Sequence, residues 1–210
     1  MVAVSRHCTR IEVIASVKEQ LDKIISDLQT SMGRDAPESA NVSETGGGTP
    51  GYAIIGTGMM GREHIRAILQ LKQARIVGIF DENAGSVNRA IREFTQSGHD
   101  APAVYTGLDD LTNDDRIGAI LICTPNFTHR QVFDAVKHTG KPIFLEKPMA
   151  TTLEDAIYLA KASLSYPASI LLGMQYRYKS QYQLALSAIN NGDVGSVKMI
   201  SLCEYRPAFL

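Results

Sequence analysis

Gly56, Gly58 and Gly61 punctuate the run Gly56-Thr57-Gly58-Met59-Met60-Gly61, where a backbone with few side chains can approach a bulky anion. Gly56 suits a tight turn, Gly58 keeps a Cβ out of the path of a pyrophosphate, and Gly61 lets a following helix pack close to the preceding strand. The N–H groups of that helix would face the phosphates with a partial positive charge. The apolar run 52–55 comes directly before the loop, and Asp81 ends the next apolar run, 20 positions beyond Gly61. An acidic side chain there accepts hydrogen bonds from adenosine ribose hydroxyls and repels a 2′-phosphate. The combination predicts a bound dinucleotide, NAD in preference to NADP. Thr57, Met59 and Met60 count as cofactor-binding through their place in the loop, the methionines as packing rather than chemistry. His64 reads as a surface or supporting residue, not a catalyst.

Ligands of open α/β sheets bind outside the carboxyl ends of the strands, so residues just after each apolar run carry weight. After 117–123 come Thr124, Pro125, Asn126 and, within the next helix's first turn, His129; after 143–145 come Glu146, Lys147 and Pro148. Both prolines stiffen these exits. Asn126 could cap the following helix, and His129 is placed near enough to the edge to touch a cofactor. Lys147 is the candidate proton-transfer residue. An ammonium desolvated by a bound ligand gives up its proton more readily and can exchange it with a hydroxyl becoming a carbonyl. A solvated Glu-Lys pair at a strand end is the competing reading from position alone.

These residues need a frame. Apolar runs at 52–55, 76–80, 103–105, 117–123, 143–145 and 169–172 alternate with amphipathic segments at 61–71, 84–95, 127–138 and 153–163, plus a short one at 108–111. Strands buried on both faces, joined by crossover helices, predict an α/β fold with a doubly wound parallel sheet, a Rossmann NAD(P)-binding domain over 51–175. Residues 176–210 read as the start of an α+β substrate domain, with a helix over 181–191 and a strand over 197–204. Before the glycine loop, apolar positions at three- and four-residue spacing predict a helix over 11–30, followed by a flexible Ser- and Gly-rich linker over 31–50.

Composition narrows the function classes. The 210 residues carry 21 Lys plus Arg against 22 Asp plus Glu, a balance without the positive field that nucleic-acid binding needs. The longest apolar stretch, 117–123, is far short of the roughly 20 residues of a bilayer span, so no membrane partner is expected. Cys8, Cys123 and Cys203 are odd in number and far apart. That spacing argues against a disulfide framework and a cysteine metal site, and for a reducing, cytoplasmic setting.

Taken in order, the glycine loop, Asp81, Cys123-Thr124-Pro125-Asn126 with His129, Glu146-Lys147-Pro148, and Gly173-Met174-Gln175-Tyr176-Arg177-Tyr178 resemble the Gfo/Idh/MocA family, that of glucose-fructose oxidoreductase and inositol 2-dehydrogenase. The resemblance covers about 51–210. It implies NAD(P)-dependent hydride transfer to or from a sugar or cyclitol CH–OH group, with Lys147 at nicotinamide and substrate. It also implies that Glu146, Thr124, Pro125, Asn126, His129 and Gln175 contact the cofactor and that Arg177 forks onto substrate oxygens. A homo-oligomer is implied for a full-length form. Members continue into a second domain, where an Asp-x-x-x-His motif often supplies the main acid/base; none of the five histidines here follows that motif. The alternatives are a non-catalytic dinucleotide-binding regulator and an inactive truncated cofactor-binding protein.

Overall fold

The computed structural model describes residues 51–201 and residue 203. The helix expected over 11–30 and the linker over 31–50 lie outside the described residues. The chain divides into two compact units after Gly173, whereas the expected boundary followed residue 175.

In the first unit, the apolar runs become β1 (Gly51–Ile55), β2 (Arg75–Phe80), β3 (Ala103–Val104), β4 (Ala119–Ile122), β5 (Ile143–Leu145) and β6 (Ile170–Leu172). They form one sheet in the order β3-β2-β1-β4-β5-β6, with every neighbouring pair parallel. The connections carry helices α1 (Met59–Leu69), α2 (Ala84–Gln96), α3 (Leu108–Thr112), α4 (His129–Val136) and α5 (Leu153–Leu164). This is the doubly wound arrangement expected: the chain steps outward from β1 to β3, then returns to lay β4 on the other side of β1.

Side chains alternate along the strands, which divides the core between the two faces of the sheet. Ile54, Ile79, Leu121 and Cys123 pack with Ile65 and Ile68 of α1 and Ala90 and Phe94 of α2. Ala53, Ile55, Ile120, Ile122, Ile143 and Leu145 pack on the other face with Leu111 of α3, Val132, Phe133 and Val136 of α4, and Leu159 of α5. Burying each large aliphatic side chain contributes about 1.5–3 kcal/mol relative to leaving it exposed.

Local chemistry sets where the helices begin. Asn83 Oδ1 accepts from Ser86 N at 2.9 Å and opens α2; Thr152 Oγ1 accepts from Asp155 N at 3.1 Å and opens α5. Helix α1 starts directly at the glycine loop, on Gly58, with no side-chain cap and no acidic residue in its first turn. Helix α4 is preceded by a 3-10 turn, Asn126–Thr128, that makes no side-chain capping bond, so Asn126 is not the helix cap that position alone suggested.

The second unit contains a 3-10 turn, Gln175–Tyr178, and helix α6 (Ser180–Asn190). Tyr176 and Tyr182 stack with centroids 5.8 Å apart, and Lys179 Nζ lies 3.9 Å over the Tyr176 ring. Residues 197–201 carry no strand. A strand needs a neighbour to pair its N–H and C=O groups, and no described segment pairs with this one. Residues 202 and 204–210 of the expected strand and its tail lie outside the described residues.

Candidate functional site

The carboxyl ends of the strands open onto a cleft of about 960 Å³. Its floor is the glycine loop and Cys123-Thr124-Pro125. One wall is Asp81 to Asn83 with Ser86, and the other is Phe127, Thr128 and Gln131 of the β4–α4 segment. The cleft straddles the gap between β1 and β4, where the strand order reverses, the usual ligand position in open α/β sheets. A second cavity, about 550 Å³, lies elsewhere, lined by Arg75, His99, Asp100 and Arg116, without the loop or strand-end residues singled out above.

Each glycine of the loop has a separate reason. Gly56 has φ +90, in the left-handed region, and a Cβ there would fall 2.6 Å from the Cys123 carbonyl carbon. A Cβ on Gly61 would fall 2.0 Å from the Gly56 carbonyl oxygen, so α1 and the loop touch backbone to backbone. In front of Gly58 there is nothing within 4 Å of the same construction. The protein itself does not require Gly58 to lack a side chain; a ligand entering that space would. With uncapped N–H groups of α1 beside it, the loop is a cradle that fits a pyrophosphate.

Asp81 is tied into the same loop. Its Oδ2 accepts from Thr57 N at 2.7 Å and Thr57 Oγ1 at 3.1 Å, and its Oδ1 accepts from Asn83 N at 2.8 Å. A carboxylate oxygen has two acceptor positions, so Oδ1 retains one for an outside donor while Oδ2 is committed. Thr57 is fully buried and serves the loop by fixing Asp81. Met59 is exposed at 62% and lines the cleft with Met60.

At the end of β4, Thr124 Oγ1 lies 2.9 Å from Thr128 Oγ1, which donates to the Pro125 carbonyl at 2.7 Å. Thr124 and Pro125 line the cleft; Asn126 is half-buried. His129 lies buried behind this exit. It is 1% exposed, its Nδ1 lies 3.2 Å from the Met149 carbonyl and its Nε2 3.1 Å from the Thr124 carbonyl. Both ring nitrogens face backbone, so this side chain pins the β4 exit to the segment after β5.

Glu146 closes β5 and is 4% exposed. Its Oε1 lies 2.7 Å from His64 Nε2, and its Oε2 accepts from Lys147 N at 2.9 Å. His64 thus takes the supporting part expected of it, with Glu146 as the partner that sequence alone does not name. The available signal was its spacing: three residues after Gly61, it shares the helix face that packs against the sheet. Neighbouring Cys123 has its thiol pushed well above the ordinary range, by burial first and by the Glu146 charge second. Lys147 is exposed, and its ammonium has no partner among the described residues. The Lys147–Pro148 bond is cis. Since Ile122 pairs with Leu145, Thr124 and Lys147 leave adjacent strands at the same edge. Gln175 and Arg177 belong to the second unit, both exposed on its 3-10 turn.

Known proteins share this fold. The Gfo/Idh/MocA family, described as an oxidoreductase family with an NAD-binding Rossmann fold, matches residues 51–168. Inositol 2-dehydrogenase of Gluconacetobacter diazotrophicus is 34% identical over 155 residues, covering 72% of this chain and 44% of that protein. The 2,7-anhydro-N-acetylneuraminate hydratase of Mediterraneibacter gnavus is 31% identical over 150 residues, covering 71% of this chain and 38% of that protein. The crystal structure of myo-inositol dehydrogenase from Lactobacillus casei with NAD(H) and myo-inositol superposes with a TM-score of 0.63 at 29% identity, over 71% of this chain and 43% of that one. The chain thus spans less than half the length of these relatives. With its glycine loop, its strand order and a family match running from the first residue of β1 to just short of β6, the chain belongs to the Gfo/Idh/MocA oxidoreductases through their NAD-binding Rossmann domain.

Proposed function

We propose that this chain is the cofactor-binding part of an NAD-dependent oxidoreductase acting on a CH–OH group of a cyclitol or sugar. The observation that carries the reading is the open space before Gly58, framed by the uncapped start of α1 and by Asp81. The bound nicotinamide supplies a ring carbon that accepts or returns a hydride. The N–H groups of α1 hold the pyrophosphate, and the remaining acceptor position of Asp81 Oδ1 takes an adenosine ribose hydroxyl. A 2′-phosphate would meet the Asp81 charge, which favours NAD over NADP. Thr124, Pro125 and Asn126 bound the nicotinamide ribose, and His129 holds their segment in place. Lys147 Nζ, exposed and without a partner among the described residues, orients the reacting hydroxyl and exchanges its proton. Gln175 is assigned to the cofactor and Arg177 to substrate oxygens.

The cyclitol class is supported by the names of several relatives and by the myo-inositol complex of one structural neighbour. Titration with NADH, followed by cofactor fluorescence, should saturate, with NADPH binding more weakly. In a full-length form that carries the second domain, myo-inositol added with NAD should generate NADH. A chain that binds neither dinucleotide overturns the proposal.

A further inference from the structure

His64 has no place in that scheme, yet it makes the shortest polar contact to the most buried carboxylate at the strand ends. Its Nε2 stands 2.7 Å from Glu146 Oε1, and its side chain is 24% exposed against 6% for Glu146. The ring is braced edge-on by Phe144, with centroids 4.9 Å apart. Phe144 in turn lies so close to Gly173 that a Cβ there would fall 2.8 Å from its ring. The imidazole is therefore braced by β5 through Phe144, while its own backbone belongs to α1. The other oxygen of Glu146 accepts the Lys147 N–H. One carboxylate thus joins the helix behind the phosphate loop to the turn that presents Lys147.

Burying a carboxylate requires partners for both oxygens, and losing one leaves a charge that water can no longer solvate. With each Glu146 oxygen already engaged inside the protein, the side chain is a strut under the site as well as a neighbour of the cofactor. We propose that His64 is a positioning residue for the nicotinamide, at the sheet edge beside the cleft: it anchors Glu146 and, through Glu146, holds the Lys147 turn against which the nicotinamide lies. The inference rests on the dinucleotide reading above.

Two probes separate the possibilities, NADH and ADP-ribose, which lacks only the nicotinamide ring and so reports the adenosine, the pyrophosphate and the second ribose. Losing a hydrogen bond to a buried charged group should weaken NADH by about tenfold in His64→Ala, leaving ADP-ribose unchanged. His64→Gln, whose amide nitrogen can reach the same carboxylate oxygen, should restore most of the NADH affinity. If His64→Ala does not fold, Glu146→Leu removes both acceptor oxygens and should show the same split. Adding His64→Gln to it should then change NADH binding little, because the shared link is already broken. Equal weakening of both ligands would mean that His64 acts through the phosphate loop and overturns the inference, as would NADH binding that no variant alters. If wild-type protein bound neither ligand, the dinucleotide reading itself would fail and this inference with it; ADP-ribose bound as tightly as NADH would leave the dinucleotide half standing and overturn only the positioning role.

Discussion

Gly58 and Gly61 stand three residues apart in one loop, but the space around them predicts opposite consequences for the same substitution. In Gly61→Ala the new methyl must open its distance to the Gly56 carbonyl oxygen from 2.0 Å to at least an ordinary 3.4 Å, and both partners are backbone. Overpacking of that kind costs about 3 kcal/mol, offset by about 1 kcal/mol of improved helix propensity. The net loss of about 2 kcal/mol should lower Tm by about 5–10 °C for a unit of this size, and NADH affinity should fall with it because the loop is displaced. In Gly58→Ala nothing lies within 4 Å and the backbone is already extended. Only the cap preference is lost, at most about 1 kcal/mol. The methyl instead occupies the pyrophosphate's place, and NADH affinity should drop at least tenfold, about 1.4 kcal/mol. Thermal melts by circular dichroism alongside NADH titrations measure both quantities. Gly58→Ala protein that binds NADH like wild type would refute the placement of the pyrophosphate, and a Gly61→Ala protein with unchanged Tm would refute the backbone contact.

Asp81→Ala should weaken NAD more than NADP, because the ribose acceptor and the charge facing a 2′-phosphate are removed together; titration with both dinucleotides checks it, and an unchanged NAD affinity removes Asp81 from the ribose. Lys147→Ala should keep NADH affinity within a few fold while, in a full-length form, cyclitol-dependent NADH formation falls about a hundredfold or more, the usual scale of acid–base assistance; unaltered turnover there removes Lys147 from the mechanism. Asp114 is held well below the ordinary carboxylate range, first by the Arg116 guanidinium and then by the Tyr105 hydroxyl. A lowered folded-state value means that its contribution to stability is complete above about pH 4 and is lost as pH falls through the lowered value. Asp114→Asn should therefore flatten the acid limb of a Tm-against-pH curve, and an unchanged limb would contradict that linkage.

What the sequence made legible follows the range over which each interaction acts. Strand runs such as 52–55 and 117–123 are apolar on both faces because both faces are covered, so their positions could be read locally, and the sheet order matched the doubly wound expectation. Boundaries moved where local chemistry was ambiguous. Helix α1 begins at Met59 because the glycine loop itself is its start, and the segment after Pro125 turns through a 3-10 step before α4. Residues 197–201 had strand-forming side chains but no described neighbour to pair with, and β propensity alone does not make a strand.

The site divides in the same way. The parts of the proposed phosphate cradle, Gly56 to Gly61 and the start of α1, are contiguous, so the sequence alone brings them together. The proposed nicotinamide end showed in the sequence only as a set of residue types. His129 stands at the expected strand exit, but its ring turns inward to two carbonyls contributed from Thr124 and Met149. His64 and Glu146 are 82 residues apart and meet only once α1 lies across the sheet beside Phe144. A polar side chain on the sheet-facing side of a helix must find a buried partner or leave an unsatisfied group, so His64 demanded a partner that its spacing could announce but not name. Packing supplied the name: Glu146, itself an expected cofactor contact, also joins the helix that starts at the glycine loop to the turn that carries Lys147.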